Sequence, residues 1–276
     1  MSKVPFITLN NGVAMPQLGF GVWQVPDGEA AQTVTTALEA GYRSIDTAAI
    51  YGNEAGTGKA VTGSGIAREE LFVTTKLWNS DQGYDSTLRA FDDSLGKLGL
   101  DYVDLYLIHW PMPARDTYVD TYKAFEKILA DGRAKAIGVS NFRVEDLERL
   151  IGETSVVPAV NQVELHPQLQ QSGLKDFHAK HGIATEAWSP LGQGKDLLQA
   201  PAVVAVARKH DRTPAQVVLR WHLQVGNVVI PKSVTPSRIQ ENFDVFDFEL
   251  DADDLAAFTA LDEGRRLGPD PADVNS

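Results

Sequence analysis

Short β-rich segments and amphipathic helical stretches alternate eight times along this chain, and that alternation limits its fold more than any other feature. Strand character falls at 18–22, 44–46, 72–76, 103–109, 134–139, 159–163, 183–188 and 228–230. Helical periodicity follows each in turn, at 29–40, 53–61, 86–98, 118–129, 144–151, 173–180, 202–209 with 214–224, and 236–242. Before the first unit, Asn10, Asn11 and Gly12 separate two short strands, which reads as a hairpin. Alternation of this kind implies parallel strands joined by crossover helices. Eight units match a (β/α)8 TIM barrel of about 250 residues. A doubly wound sheet is the competing arrangement. The chain is therefore expected to be one α/β barrel domain over 1–276, with an N-terminal β-hairpin. A short Pro- and Asp-rich tail from Leu267 is expected to cover the barrel mouth or fray.

Composition narrows the function. The 276 residues are 43% hydrophobic, yet no apolar run is long enough to span a membrane. The opening residues lack a signal-peptide pattern. The absence of cysteine excludes a disulfide framework and thiolate chemistry. A cytoplasmic home is the simplest reading. The net charge of −12 comes without a basic face, which argues against nucleic acid. In so acidic a chain, a local basic cluster is informative.

Four polar residues stand at or just after strand ends. Asp46, Lys76 and His109 close strands two, three and four, and Tyr51 follows strand two. Barrel active sites form at these C-terminal ends. Neighbouring strands are about 5 Å apart, so the side chains can converge. An ammonium beside a phenol favours phenolate and lowers its pKa. Asp46 can hold Lys76 protonated, and His109 can bond a substrate oxygen. The set suits protonating a carbonyl oxygen while hydride reaches carbon. Each residue alone has a plainer explanation: a helix cap, a packed ring, a solvated lysine, a structural histidine. Their coincidence on three consecutive strand ends does not.

Hydride needs a donor, and no G-x-G-x-x-G or P-loop is present. The later strand ends offer another arrangement. Ser140, Asn141 and Gln162 can hold a carboxamide, and Trp188 can stack on a ring. Lys232, Ser233 and Arg238 surround a helix start and form a candidate anion site. A barrel metallohydrolase using Asp46, His109, Glu164 and His166 is a weaker reading. No His-x-His closes an early strand, and Lys76 repels a cation. No metal is expected.

Three stretches resemble the aldo-keto reductase family. They are 41–48 with 51–54, 105–111, and 230–242, joined by matches at 138–142 and 161–167. The resemblance covers nearly the whole chain. It is greatest to bacterial 2,5-diketo-gluconate reductases, notably at 188–195. It implies a monomeric barrel that reduces carbonyl compounds with NADPH, the small-molecule carbonyl being its only partner. It implies Tyr51 as general acid, Lys76 lowering its pKa, Asp46 pairing with Lys76, and His109 orienting the carbonyl. Ser140, Asn141 and Gln162 are implied for the nicotinamide carboxamide, and Trp188 for its ring. Ser189, Leu191, Gly192, Gln193 and Val234 are implied along the cofactor. Lys232, Ser233 and Arg238 are implied for a 2′-phosphate, and Glu241 and Asn242 for adenine. Gly19, Gly21, Trp23, Ala49, Trp78 and Trp110 are implied at the substrate. A silent NADPH-binding relative is the alternative of a different class.

Overall fold

Alternate side chains on a strand face opposite sides, and here both sides are apolar. Phe72, Leu105, Leu107, Ala136, Val160 and Val228 cluster together on the inner side. Their strand neighbours Val73, Tyr106, Ile108, Ile137 and Val139 and Val163 and Ala187 join other clusters, against the helices. A sheet that is apolar on both faces is buried on both when it rolls into a barrel ringed by helices.

The structure is a computed structural model and describes residues 4–274. Strands β1 (Phe6–Thr8) and β2 (Ala14–Pro16) form an antiparallel hairpin. Eight parallel strands follow: β3 (Phe20–Gly21), β4 (Ser44–Asp46), β5 (Phe72–Leu77), β6 (Val103–Ile108), β7 (Ala134–Ser140), β8 (Val160–Glu164), β9 (Ala184–Trp188) and β10 (Val228–Val229). Each neighbours the next in chain order. The ring closes between its first and last members. Leu18 bridges Val229 in parallel, the Gly19 N–H donates to the Val229 carbonyl at 2.9 Å, and Gly21 donates to Pro231 at 3.1 Å. This closure rules out the doubly wound sheet. Gly19 lies at the seam because a Cβ there sits 2.9 Å from Ser44 Oγ and 3.1 Å from Ile230 Cγ2. The expected strand 18–22 is reduced to two residues in the ladder; Leu18 and Gly19 pair with Val229 of β10 across the seam, and Val22 donates to the Asp46 carbonyl at 3.1 Å.

The helices are α1 (Asp27–Ala40), α2 (Glu54–Gly63), α3 (Tyr84–Leu98), α4 (Tyr118–Ala130), α5 (Val144–Glu153), α6 (Ser172–His181), α7 (Pro201–Lys209), α8 (Pro214–Gln224), α9 (Pro236–Phe243) and α10 (Ala252–Thr259). Thr213 starts α8 with a reciprocal capping box to Gln216, and Pro214 takes the first helical position. Among the described residues no helix is long and apolar enough to cross a membrane.

The two ends of the barrel are treated differently. At the N-terminal end the hairpin is a plug: Leu9 and Met15 join the inner cluster. Asn10 donates to the Pro158 carbonyl at 3.0 Å and Asn11 to Lys135 at 2.9 Å, which docks the plug under β7 and β8. At the C-terminal end the inner side chains turn polar. Continuing the inward series by steps of two takes Phe72 to Lys76, Leu107 to His109, and Val160 to Gln162. The tail crosses this end. Leu267 and Gly268 donate backbone N–H bonds to the two oxygens of Glu164, at 2.6 and 2.9 Å.

Candidate active site

The inward register brings the polar side chains of β4 to β9 under one opening. Lys76 is fully buried, and its ammonium has three partners for its three protons. Nζ lies 2.5 Å from Asp46 Oδ1 and 2.9 Å from the Thr47 carbonyl, and it hydrogen-bonds the Tyr51 hydroxyl. Tyr51 sits on a single helical turn, 49–51, placed after β4 so that its ring reaches over Lys76; Nζ is 5.1 Å from the ring centroid. Burial alone would lower the Lys76 pKa, but Asp46, Tyr51 and Glu186 reverse this and raise it. The ammonium stays charged.

Burial pushes the Tyr51 phenol up, and the Lys76 charge and hydrogen bond pull against it. The balance lies above the ordinary value. The expected direction of Lys76's influence is present, but burial outweighs it. Tyr51 therefore holds its proton at neutral pH, as a donor must.

His109 follows β6 and faces Tyr51 edge-on at 5.7 Å between ring centroids, with Trp78 against it at 5.3 Å. Burial, then the Lys76 charge, push its pKa well below the usual range, so the imidazole is neutral. A neutral ring can donate a hydrogen bond without delivering charge. Its carbonyl accepts from Asn141 Nδ2 at 2.9 Å, which locks the β6 and β7 ends together.

These groups border a cavity of about 830 Å³. Asp46, Tyr51, His109, Trp23, Trp78 and Trp110 border it. So do Ser140, Asn141, Gln162, Trp188, Ser189, Leu191 and Gln193. Gly21, Lys232, Ser233, Arg238, Glu241 and Asn242 also line it. Of the anticipated residues, Lys76, Gly19, Ala49, Gly192 and Val234 do not border it; Lys76 lies buried beneath Tyr51. Ile50 lines the cavity from the same turn as Ala49. Gly192 packs on Leu197, and Val234 is 49% exposed. Gly19 lies at the barrel seam.

The residues present fit a nicotinamide nucleotide. Both hydrogens of Gln162 Nε2 are engaged, by Asp46 Oδ2 and Glu186 Oε2 at 2.8 Å each. Its oxygen is left as an acceptor for an amide donor. Trp188 is held by an Nε1–H bond to Asn141 Oδ1 at 2.9 Å. Ser140 donates to the Gln162 carbonyl at 2.8 Å and accepts from Asn141, so both residues already have protein partners. Lys232 and Arg238 are exposed, and neither has an acidic partner among the described residues. No side chain caps α9, whose start lies between them. Glu241 is held by the Thr213 hydroxyl at 2.8 Å.

The metal alternative fails on geometry. Among the described residues no three His, Asp or Glu side chains converge to hold an ion. Glu164 is taken up by His166 at 3.1 Å and by the tail amides.

Several cavity residues had no chemical signal in the sequence, among them Gln24, Leu198 and the start of α8 at 213–215. The tail supplies Gly268 and Pro269. Glu186 was also missed. Its signal was positional, two residues before Trp188 on one strand and hence on the same face.

The Aldo/keto reductase family model matches residues 17–263. The chain belongs to the aldo/keto reductase family. A methylglyoxal reductase, DkgA, from Escherichia coli is 54% identical over 272 residues, 98% of each chain. An aldo/keto reductase structure from Brucella melitensis is 62% identical with a TM-score of 0.91, covering 94% of this chain and 100% of that one. A mutant of Gox0644 in complex with NADPH is 52% identical with a TM-score of 0.94, covering 98% of each. The anticipated family and barrel fold are thus both found. The buried Lys76–Asp46 pair, the phenol and the imidazole stand together in a member of this family.

Proposed function

We propose that this chain reduces aldehydes and ketones to alcohols with NADPH, and that Tyr51 supplies the proton. The observation that carries this reading is the Tyr51 hydroxyl, bonded to a buried ammonium and facing a cavity large enough for a dinucleotide and a small carbonyl. When bound, the nicotinamide supplies hydride to the carbonyl carbon. His109, held neutral, donates a hydrogen bond to the carbonyl oxygen and aims it at Tyr51. The phenol gives its proton to that oxygen as negative charge develops there. Lys76 stabilises the phenolate left behind, and Asp46 keeps Lys76 charged and in place. Gln162 accepts from the carboxamide, and the Trp188 face supports the ring.

NADPH is preferred over NADH in this reading because Lys232 and Arg238, in an acidic chain, have no acidic partner among the described residues. Likeness to a structure complexed with NADPH supports it. Trp23, Trp78 and Trp110 wall the carbonyl end, which suits small or flat substrates. Likeness to a methylglyoxal reductase points to α-dicarbonyls among them. The reading takes the chain as a monomer, and the composition, with no cysteine, is in keeping with a cytoplasmic setting. The test is NADPH oxidation with a panel of α-dicarbonyls, sugar-derived ketones and aromatic aldehydes, with the alcohol product measured. One alcohol formed per NADPH is expected. No turnover with any carbonyl would favour the silent NADPH-binding alternative.

A further inference from the structure

Glu186 lies inside the barrel and is 1% exposed. It faces inward on β9 between Ala184 and Trp188, in register with Gln162 of β8. Its Oε2 accepts from Gln162 Nε2 at 2.8 Å, while Oε1 is buried without a partner among the described residues. Gln162 gives its other hydrogen to Asp46 Oδ2 at 2.8 Å. A hydrogen-bonded chain therefore runs Glu186–Gln162–Asp46–Lys76–Tyr51. It contains two carboxyl groups and one ammonium.

An oxygen of Gln162 placed there would face the Asp46 carboxylate, which can only accept, so the amide has one workable orientation. That orientation turns its oxygen away from Glu186 and Asp46. The charged and titratable groups facing Glu186 are Asp46 from β4, Tyr51 after it, and Lys76 from β5. The adjoining strand β10 contributes only Val228 and Val229. Burial, and next the Asp46 charge, raise the Glu186 pKa to about 8.

We propose that Glu186 is a positioning residue for the reduction: it fixes the Gln162 amide so that its oxygen meets the nicotinamide carboxamide, and, once ionised, it opposes loss of the Tyr51 proton. This rests on the carbonyl-reduction reading above. Ionised Glu186 adds a second negative charge beside the Lys76–Asp46 pair. That charge opposes formation of phenolate at Tyr51, as its sign requires. Removing the charge leaves Lys76 less opposed, and the phenol loses its proton at lower pH.

Two variants separate these roles. E186Q keeps a carbonyl acceptor for Gln162 and removes the charge. E186A removes both. NADPH affinity is read by titrating tryptophan fluorescence, and kcat for one reactive aldehyde is followed against pH. E186Q should bind NADPH within about twofold of the native protein and move the alkaline limb of kcat down by about one pH unit. E186A should weaken NADPH by about fivefold to tenfold. An unmoved alkaline limb in E186Q overturns the charge role. Native NADPH affinity in E186A overturns the positioning role. If E186A does not fold, E186L, which fills the site without an acceptor, is titrated with NADPH in its place and carries the same expected weakening. Failure of the native protein to turn over any carbonyl would instead refute the underlying reading, and the binding comparison is made without turnover.

Discussion

Lys76 Nζ lies 2.5 Å from Asp46 Oδ1, with the lysine side chain fully buried and the carboxylate 4% exposed. Removing one partner of such a pair leaves an uncompensated buried charge, at a cost of about 3–5 kcal/mol. Lys76→Met should therefore melt roughly 10 °C or more below the native protein. It should also lower kcat by at least about a hundredfold, because the phenolate loses its stabilising cation. Thermal melts and NADPH oxidation read the two effects separately.

The pH dependence of stability follows from the same cluster. The folded pKa of Lys76 is raised, so its stabilisation is full below the ordinary lysine range and is lost as pH rises through the folded value. Glu186 is a carboxyl with a raised pKa. The folded chain binds its proton more tightly than the unfolded chain does. Stability therefore falls as pH climbs from the ordinary 4.5 to about 8. Glu186→Gln removes that loss. The variant should melt a few degrees above the native protein at about pH 9, and the gap should close near about pH 5.

How much of this was legible in the sequence depended on periodicity. Strands β4 to β7 and β9 were readable because short runs rich in apolar residues end at Asp46, Lys76, His109, Ser140 and Trp188. Asp46, Lys76 and His109 were found because they break those runs. Glu186 does not stand at a run's end, so it read as an ordinary strand residue until the closed barrel placed it beside Gln162. Helix α10 was not anticipated, although Asp251 caps it and Asp254 completes the capping box. Its signal lay beyond the eighth unit, where the repeat no longer guided the reading. Ala49 was placed at the substrate, yet a single helical turn presents Ile50 to the cavity instead. Rotation within so short a turn is set by tertiary contacts, which sequence spacing does not encode.

Arg238 and Lys232 have no acidic neighbour to satisfy them among the described residues. A charge-assisted contact to a 2′-phosphate exists only with NADPH. Arg238→Ala should raise the Kd for NADPH about tenfold to a hundredfold and leave NADH within about twofold. Parallel fluorescence titrations check this. Equal weakening of both nucleotides would remove the phosphate role.

Gly268 passes so close to Trp188 that an added Cβ lies 2.5 Å from Cη2 of the indole and 3.1 Å from Glu164 Oε2. Gly268→Ala must shift the tail or tilt the indole, at a cost of about 1–3 kcal/mol. The KM for NADPH should rise several-fold while the fold is retained. Steady-state kinetics with circular dichroism test both parts.

Tyr51 is the residue on which the account depends. In Tyr51→Phe the ring, the cavity wall and the neighbouring Lys76–Asp46 pair can all persist, and the hydroxyl is lost, taking with it the transferable proton and one hydrogen-bond partner of Lys76. The decisive measurement is the kcat for NADPH-dependent reduction of a reactive carbonyl by this variant, alongside its NADPH affinity. The account predicts near-native NADPH binding with kcat reduced by about a hundredfold or more. Turnover close to the native rate would contradict it.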